Sequence, residues 1–276
     1  MKLKATDKQL VYVNLGCGPI RHSDWNNFDQ FEDDDVIFQD LRKPLKIPDK
    51  QVDFVYHSHT LEHLNYWDGL QLLHECYRIL KYGGVCRIVI PDLEQLAQNY
   101  LFYLNQYLDN PTEENYYKYF FCLCYMIDDM TKERIDSSVL KYYLSKQYFD
   151  QDFVYKTSGE GYIIFYDNQK KQPLKGKDKI LKKINTFLSI PWNQKLKVIK
   201  DKYFKEQDTR KNGYAHKWMW DRVALDWHLR QAGFKETKIQ SWNSSDIVDW
   251  DLYNLDANQE HTGPSKAGSI FFEAIK

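Results

Sequence analysis

The chain is poor in four things, and each lack removes a class of protein. It has no surplus of charge, because 38 lysines and arginines face 39 aspartates and glutamates and leave −1 at pH 7. A dedicated nucleic-acid binder carries a basic excess, so that partner is disfavoured, although a local basic patch is not. It has no cysteine framework. Cys17, Cys76, Cys86, Cys122 and Cys124 are odd in number and contain no CxxC pair. A zinc cage and a disulfide scaffold are both disfavoured, no metal is expected, and the thiols fit a reducing cytoplasm. Glycine and proline (12 and 8 of 276 residues) are too few for a fibrous or disordered chain. Finally, no apolar run is long. The longest, Tyr119–Ile127, is far too short to span a bilayer. The polar start, with Lys2, Lys4, Asp7 and Lys8, contains no signal core. The expectation is a cytoplasmic protein.

What is present is apolar and aromatic mass, 43% and 16% of residues, enough for a large core. Leu10–Leu15, Val36–Phe38, Val52–Tyr56 and Val85–Ile90 are short runs rich in Val and Ile, which suits buried parallel strands. Helical spacing of Leu70, Leu73, Cys76, Tyr77 and Leu80 predicts a helix over about 66–81, stopped by Gly83-Gly84. Strand, helix and strand make a parallel βαβ unit. Residues 92–210 change character. Leu93, Leu96, Tyr100, Leu104 and Leu108 share a helical face, Asn115–Asp129 and Lys132–Tyr148 read as helices, and Lys170–Lys183 is a lysine-rich loop. After about residue 211 the first pattern returns, with a helix over Trp218–Ala232 capped by Gly233. Strands follow at Phe234–Gln240 and Ser269–Ile275, around a polar loop, Asn243–Lys266. The domain reading is therefore 1–99 with 211–276, interrupted by a helical insert at 100–210 that serves as substrate lid or oligomerisation region.

The chemistry gathers at strand ends. Gly16-Cys17-Gly18 closes the first strand, and two glycines one residue apart let backbone approach a ligand closely. Asp29 and Asp40 close the next two segments, and His57-Ser58-His59 a fourth. Carboxylates there can accept hydrogen bonds from ribose hydroxyls and an adenine amine. A dinucleotide site needs a third glycine opening a helix, but positions 20 and 21 are Ile and Arg. The link from Pro19 to Trp25 barely allows one helical turn, so NAD is disfavoured.

These residues resemble a known family. Val13-Asn14-Leu15-Gly16-Cys17-Gly18-Pro19 is similar to the first motif of class I (Rossmann-like) S-adenosylmethionine-dependent methyltransferases. His59-Thr60-Leu61-Glu62-His63-Leu64 resembles the segment after the fourth strand in a bacterial subgroup of them, one often associated with surface-glycan or natural-product gene sets. Leu73–Gly84, Ile90-Pro91-Asp92-Leu93, Ala232-Gly233-Phe234 and the last strand resemble further motifs in the same order. The resemblance covers about 10–99 and 211–276 and leaves the insert unexplained. It implies an α/β, Rossmann-like, doubly wound, mostly parallel seven-stranded sheet and S-adenosyl-L-methionine as cofactor. It implies that Asn14, Gly16, Cys17 and Gly18 belong to the cofactor site, the latter three lining the methionine part. Asp29 would hold the ribose, Asp40 and Leu41 would meet the adenine, and His57 and Ser58 would close over the sulfonium. Two features depart from the family pattern: Asn14 stands where many members have an acid, and the short link before Asp29 removes most of the first helix.

Methyl transfer to a hydroxyl profits from a base, for which His59, Glu62, His63 and His216 are the candidates. Glu62 and His63 could instead brace the next helix. The expected function is methylation of an O or N atom of a small molecule or glycan precursor. A methyltransferase of protein or nucleic acid and an inactive cofactor-binding partner are the rivals. Tyr116, Tyr117, Tyr119, Phe120, Phe121 and Tyr125 read as core or oligomer contact, which makes a homodimer plausible. Cys122 and Cys124, two apart on a helix, read as structural. Asp33-Asp34-Asp35 reads as a turn.

Overall fold

The computed structural model describes residues 3–31, 33–131, 150–164, 167, 213 and 215–276. The Lys132–Tyr148 helix and the Lys170–Lys183 loop expected from the sequence lie outside the described residues. The chain divides into two compact units, Met1–Gln98 with His216–Lys276, and Asn99–Ala215.

The first unit is built on one seven-stranded sheet. Its strands are β1 (Tyr12–Leu15), β2 (Trp25–Asp29), β3 (Val36–Phe38), β4 (Val52–Ser58), β5 (Leu80–Pro91), β6 (Glu236–Gln240) and β7 (Ser269–Ile275), in the spatial order β3-β2-β1-β4-β5-β7-β6. β1 pairs in parallel with β2 and β4, β2 with β3, and β4 with β5; β7 alone runs antiparallel, between β5 and β6. This is the mostly parallel, Rossmann-like sheet that the resemblance implies. The chain winds outward from β1 to β3, then returns to β4 on the other side of β1. The order thus reverses between β1 and β4, where a doubly wound sheet opens a crevice.

Both faces of the sheet are covered. Val13, Leu15, Val55, Cys86, Ile88, Phe272 and Ala274 face one way and pack against α1 (Tyr66–Ile79) through Leu72, Leu73, Cys76 and Ile79. The second helix on that face is α5 (Arg222–Ala232), through Leu225 and Leu229. The alternate residues Tyr12, Trp25, Phe54, Tyr56, Val85, Val89 and Phe271 meet Ile247, Trp250, Tyr253 and Leu255. That second cover corrects the sequence reading. The segment taken as a polar loop carries a short helix, α6 (Trp250–Tyr253), and buries four large apolar side chains. Their irregular spacing among Asp, Asn and Ser hides them from any periodicity argument.

Two helix boundaries differ from expectation as well. α1 ends at Ile79, and Gly83-Gly84 lies within β5. There the β4–β5 register shifts between Val52 and Phe54, Gly83 adopts φ +77, and a Cβ on Gly84 would stand 2.9 Å from the Asp53 carbonyl oxygen. The glycines permit an irregular strand start and do not stop the helix. α5 begins at Arg222 because Asp221 accepts hydrogen bonds from the Val223 and Ala224 N–H groups as N-cap, leaving Trp218 outside the helix. Gly233, at φ +111, closes it as expected.

The second unit holds the Asn99–Asp109 part of α2 (Leu93–Asp109), with α3 (Glu113–Thr131) and α4 (Gln151–Ser158). Its aromatic residues pack on one another. Phe121 sits 5.4 Å from Phe153 and 6.1 Å from Tyr162, centroid to centroid, and Tyr103 sits 5.1 Å from Phe153. Cys122 and Cys124 are both buried in α3, which gives them the structural place expected.

In the first unit the most constrained polar group is Arg87 on β5, which is fully buried. Its Nε donates to Asp256 at 2.8 Å and its Nη1 to Glu273 on β7 at 2.9 Å. The remaining N–H groups meet the carbonyls of Ser244, Ser241 and Trp242. The guanidinium stacks 4.4 Å from the Trp250 ring. Every donor is used, and Tyr56 Oη donates to the other Asp256 oxygen at 2.6 Å. Removing one partner of such a buried group leaves uncompensated charge, at about 3–5 kcal/mol. Arg87→Met is therefore expected to lower unfolding free energy in urea by about that amount. Arg87→Met combined with Asp256→Leu and Glu273→Met should recover much of it. A loss below about 1 kcal/mol for the single variant would contradict this account.

Candidate active site

The carboxyl ends of β1 to β4 come together at one edge of the sheet. After β1 the backbone turns through Gly16 at φ +67 and Gly18 at φ +51. The amides of Gly16 and Cys17 both donate to the carbonyl of Phe28 on β2, at 2.8 and 3.1 Å. Gly16 is needed for shape and for space: a Cβ there would lie 2.4 Å from Thr60 Oγ1. Around Gly18 the reverse holds, since a Cβ would meet nothing within 4 Å and the turn is open on that side. Cys17 remains a thiol, because burial and then Asp29 push it up to about 11.

Asn14, expected among the cofactor residues, is buried within the scaffold. Its amide donates to the Ile20 carbonyl at 3.0 Å and to Asn27 Oδ1 at 3.2 Å, and so ties the link from β1 to β2. That link forms turns and no helix. Asp29 ends β2. One carboxylate oxygen accepts from Gly18 N–H at 2.9 Å and the other from Gln30 N–H at 2.6 Å. A carboxylate has about four acceptor positions, so each oxygen keeps acceptor capacity beyond these bonds. Asp40, beyond β3, is gripped by Arg42, whose Nε and Nη2 donate to its two oxygens at 2.8 and 2.9 Å. That pairing holds the carboxyl below its ordinary value. Leu41 beside it is half-buried. Asp33 and Asp35 pair with Arg21 in the turn expected there.

The end of β4 splits its polar residues between two directions. His57 is completely buried and faces α1 and β5, where its ring nitrogen and the sulfurs of Cys76 and Cys86 lie within 4.8 Å of one another. The structure therefore does not bring the His57 imidazole to the edge with the others; Ser58 ends the strand there. His59 follows at φ +49, an uncommon conformation for a side chain with a Cβ. Its Nδ1 lies 3.0 Å from Glu62 Oε1 and its Nε2 lies 2.9 Å from Ser269 Oγ at the start of β7.

Glu62 and His63 lie in a 3₁₀ turn, Leu61–His63. Glu62 is wholly buried, and His63 packs its ring edge-on against His216 at 4.9 Å. One ligand-capable atom each of Glu62, His63 and His216 falls within 4.8 Å of the others. The returning chain is fastened here, because the Glu62 carbonyl accepts from Lys217 N–H at 2.7 Å and Trp218 N–H at 3.3 Å. Burial pushes the Glu62 carboxyl up, but the imidazoles of His59, His63 and His216 outweigh it and bring it down to about 2. Burial also lowers the His59 imidazole, against the pull of Glu62. The two shifts oppose each other, since a neutral imidazole holds a carboxylate less firmly than a charged one. We take the ionised Glu62 as the fixed point of the group. All four sequence candidates for a base are thus brought together.

Two members of the site escape a sequence reading. Thr60 hydrogen-bonds the Leu15 and Gly16 carbonyls at 3.3 and 3.4 Å, closing the β1/β4 crevice behind the glycine turn. The required signal was the bare Cα of Gly16, which tells of a close neighbour without saying which. Ser269 holds His59 from 210 positions away, and nothing local marks it. A separate concavity of about 490 Å³, lined by residues including Lys4, His22, Asp24 and Tyr253, lies at the amino ends of β1 and β2, away from this edge.

A family model described as a methyltransferase domain matches residues 4–88. A curated protein of Mycolicibacterium smegmatis named as a probable S-adenosylmethionine-dependent methyltransferase is 42% identical over 48 residues, 17% of this chain and 18% of that protein. The match thus spans less than a fifth of the curated relative. A crystal structure of a SAM-dependent methyltransferase from Archaeoglobus fulgidus aligns over 97% of this chain and 86% of its own, with 16% identity and TM-score 0.41. One from Mesorhizobium loti aligns over 97% and 91%, with 14% identity and TM-score 0.38. The match to the methyltransferase-domain model covers residues 4–88, and the sheet these residues help to build has the mostly parallel order of a Rossmann-like α/β fold.

Gly16→Ala combines a disfavoured φ with overlap on Thr60, and is expected to destabilise by about 1–3 kcal/mol in chemical denaturation. Adding Thr60→Ala should return the steric part and leave the backbone part. A neutral single variant would show that the turn is not held as described.

Proposed function

We propose that this chain transfers a methyl group from S-adenosyl-L-methionine to an oxygen or nitrogen atom of a small molecule or glycan precursor. The observation that carries the reading is the convergence of Gly16–Gly18, Asp29, Asp40 and Ser58–His59 on one edge of the sheet, across the β1/β4 reversal. The residues fit the cofactor on two counts. The space beside Gly18 is open, and Asp29 keeps acceptor capacity on both oxygens after its backbone contacts.

In this reading Gly16, Cys17 and Gly18 line the methionine part, Asp29 takes the ribose hydroxyls, and Asp40 with Leu41 meets the adenine. Arg42 fixes the Asp40 carboxylate in one orientation. Ser58, at the end of β4, closes over the sulfonium region. Asn14 and Thr60 act one step back, by setting the shape of the turn. The His57 ring, packed against α1, contributes nothing to the crevice. The cofactor supplies a methyl already activated by its sulfonium. The chain's task is then to orient the acceptor and exclude water, effects worth about 7–11 kcal/mol in well-aligned systems. His59 is the base of choice for a hydroxyl acceptor. Burial lowers its pKa, which favours the proton-accepting form, and its Nε2 lies 2.9 Å from Ser269 Oγ, which holds the ring in place.

Calorimetric titration with S-adenosylhomocysteine, with NAD as control, should give micromolar binding of the first and none of the second. Asp29→Ala should weaken that binding on the order of 10–100-fold, the loss of charge-assisted hydrogen bonds. Unchanged affinity would remove the ribose assignment. His59→Ala should cut turnover of a labelled methyl donor about 10²–10⁴-fold while sparing cofactor affinity. Full activity would remove it as the base, and tight cofactor binding without turnover on any acceptor would favour a non-catalytic partner.

A further inference from the structure

We propose that the 3₁₀ turn after β4 and the segment beginning at His216 form a divalent-cation site, with Glu62, His63 and His216 as its protein ligands. The donors are already gathered, one ligand atom from each lying within 4.8 Å of the other two. Two imidazoles and one carboxylate are the donor set of catalytic zinc and non-haem iron(II) sites, which keep positions open for a substrate or water.

Three features show a built site. First, Glu62 is fully buried, and neither oxygen takes part in a well-aligned hydrogen bond. His59 Nδ1 stands 3.0 Å from one of them, off the hydrogen-bond direction. Among the described residues no lysine or arginine pairs with this carboxylate. Buried carboxylates are held by a cationic partner or by a metal ion. Second, His216 is delivered by backbone bonds. The Glu62 carbonyl accepts from Lys217 and Trp218 N–H, so the peptide that presents His216 is pinned to the residue that presents the carboxylate. Third, His59 and Ser269 form the outer layer that metal ligands usually have. Ser269 holds the imidazole, and the imidazole in turn faces the Glu62 carboxylate.

The site adjoins the proposed cofactor crevice through Thr60, which touches the Gly16 turn. A cation held there would take an acceptor oxygen into an open coordination position, which favours a hydroxyl acceptor over an amine. That preference rests on the methyl-transfer reading; the cation site itself does not.

The test is direct and needs no turnover. The chain, stripped of metals with a chelator, is titrated with Co²⁺ alone and followed by visible absorbance and calorimetry. Titration of the parent with S-adenosylhomocysteine is run in parallel. The expected result is one equivalent of cobalt with ligand-field bands and no thiolate charge-transfer band. His216→Ala and His63→Gln should each weaken binding at least about tenfold, with near-ultraviolet circular dichroism showing both variants folded. No cobalt binding by the parent, or unchanged affinity in His216→Ala, would overturn the proposal. So would a thiolate band abolished by Cys76→Ser, which would move the ion to the His57, Cys76 and Cys86 cluster. Cobalt binding at the expected ligands without S-adenosylhomocysteine binding would uphold the cation site and reject the cofactor reading, so the two fail separately.

Discussion

The buried ion cluster at Arg87 sets the register on which the rest of the first unit depends. Arg87 and Glu273 stand directly opposite each other in the antiparallel β5–β7 pair, and their guanidinium and carboxylate bond within a fully dry environment. A slip of one residue in β7 would turn Glu273 to the face covered by α1 and α5, where only apolar side chains await it, and leave Arg87 without that partner. The cost of that slip fixes the pairing along the whole ladder, and at its far end Ser269 falls opposite Pro91. This is what places Ser269 Oγ beside His59. The same Arg87 also gathers the carbonyls of Ser241, Trp242 and Ser244. The polar segment that follows β6 is thereby drawn over the sheet and lays down Trp250 and Tyr253 as a second apolar cover. One charge thus closes the core and indirectly holds the His59 imidazole at the edge where β1 to β4 end.

The second constraint is the meeting of β1 and β4. Neighbouring parallel strands whose connections leave in opposite directions open a crevice between their ends. Here the crevice is narrow at its floor, because Thr60 rests against Gly16 closely enough that no Cβ fits. It is open one step farther out, at Gly18. The two glycines therefore have different work. The first lets protein pack on protein, and the second leaves backbone bare toward a ligand. Asn14 supports both by tying the link to β2, which explains how a short connection without a helix keeps its shape.

How legible was this in the sequence? Features decided locally were legible. Val36–Phe38 and Ser269–Ile275 are found at the predicted bounds because short buried strands announce themselves as apolar runs between polar stops. The gathering of Gly16–Gly18, Asp29 and Asp40 could be seen because each closes such a run. Features decided at a distance were hidden. Gly83-Gly84 looks like a helix stop, but the needs of β4 place it inside a strand. Trp218 sits in helical phase with Leu225, yet the Asp221 cap starts the helix four residues later than that phase suggests. His57 follows the strand alternation inward with Val55, so the run that brings Ser58 and His59 to the edge necessarily hides it. The Ile247, Trp250, Tyr253 and Leu255 cover has no period at all. It exists because Arg87 lies beneath it.

The five residues His59–His63 carry the argument one step further. His59 and Thr60 lead into the 3₁₀ turn Leu61–His63, and His59 Nδ1 stands 3.0 Å from Glu62 Oε1 within it. Thr60 looks toward the glycine turn, while Glu62 and His63 look toward His216. A single rigid turn therefore presents one group to the proposed cofactor crevice and another to the imidazole and carboxylate cluster. Its rigidity comes from three sides: the Val89 carbonyl, which accepts from His59 N–H at 2.9 Å, the Leu15 carbonyl behind Thr60, and the Lys217 amide on Glu62. Backbone so firmly held can sustain the strained φ of His59, because relaxing that one residue would break bonds on the other sides of the turn. The spacing between the glycine turn and the Glu62, His63 and His216 cluster is thus fixed by the backbone of the turn itself. In-line transfer between two bound groups requires a fixed distance of that kind.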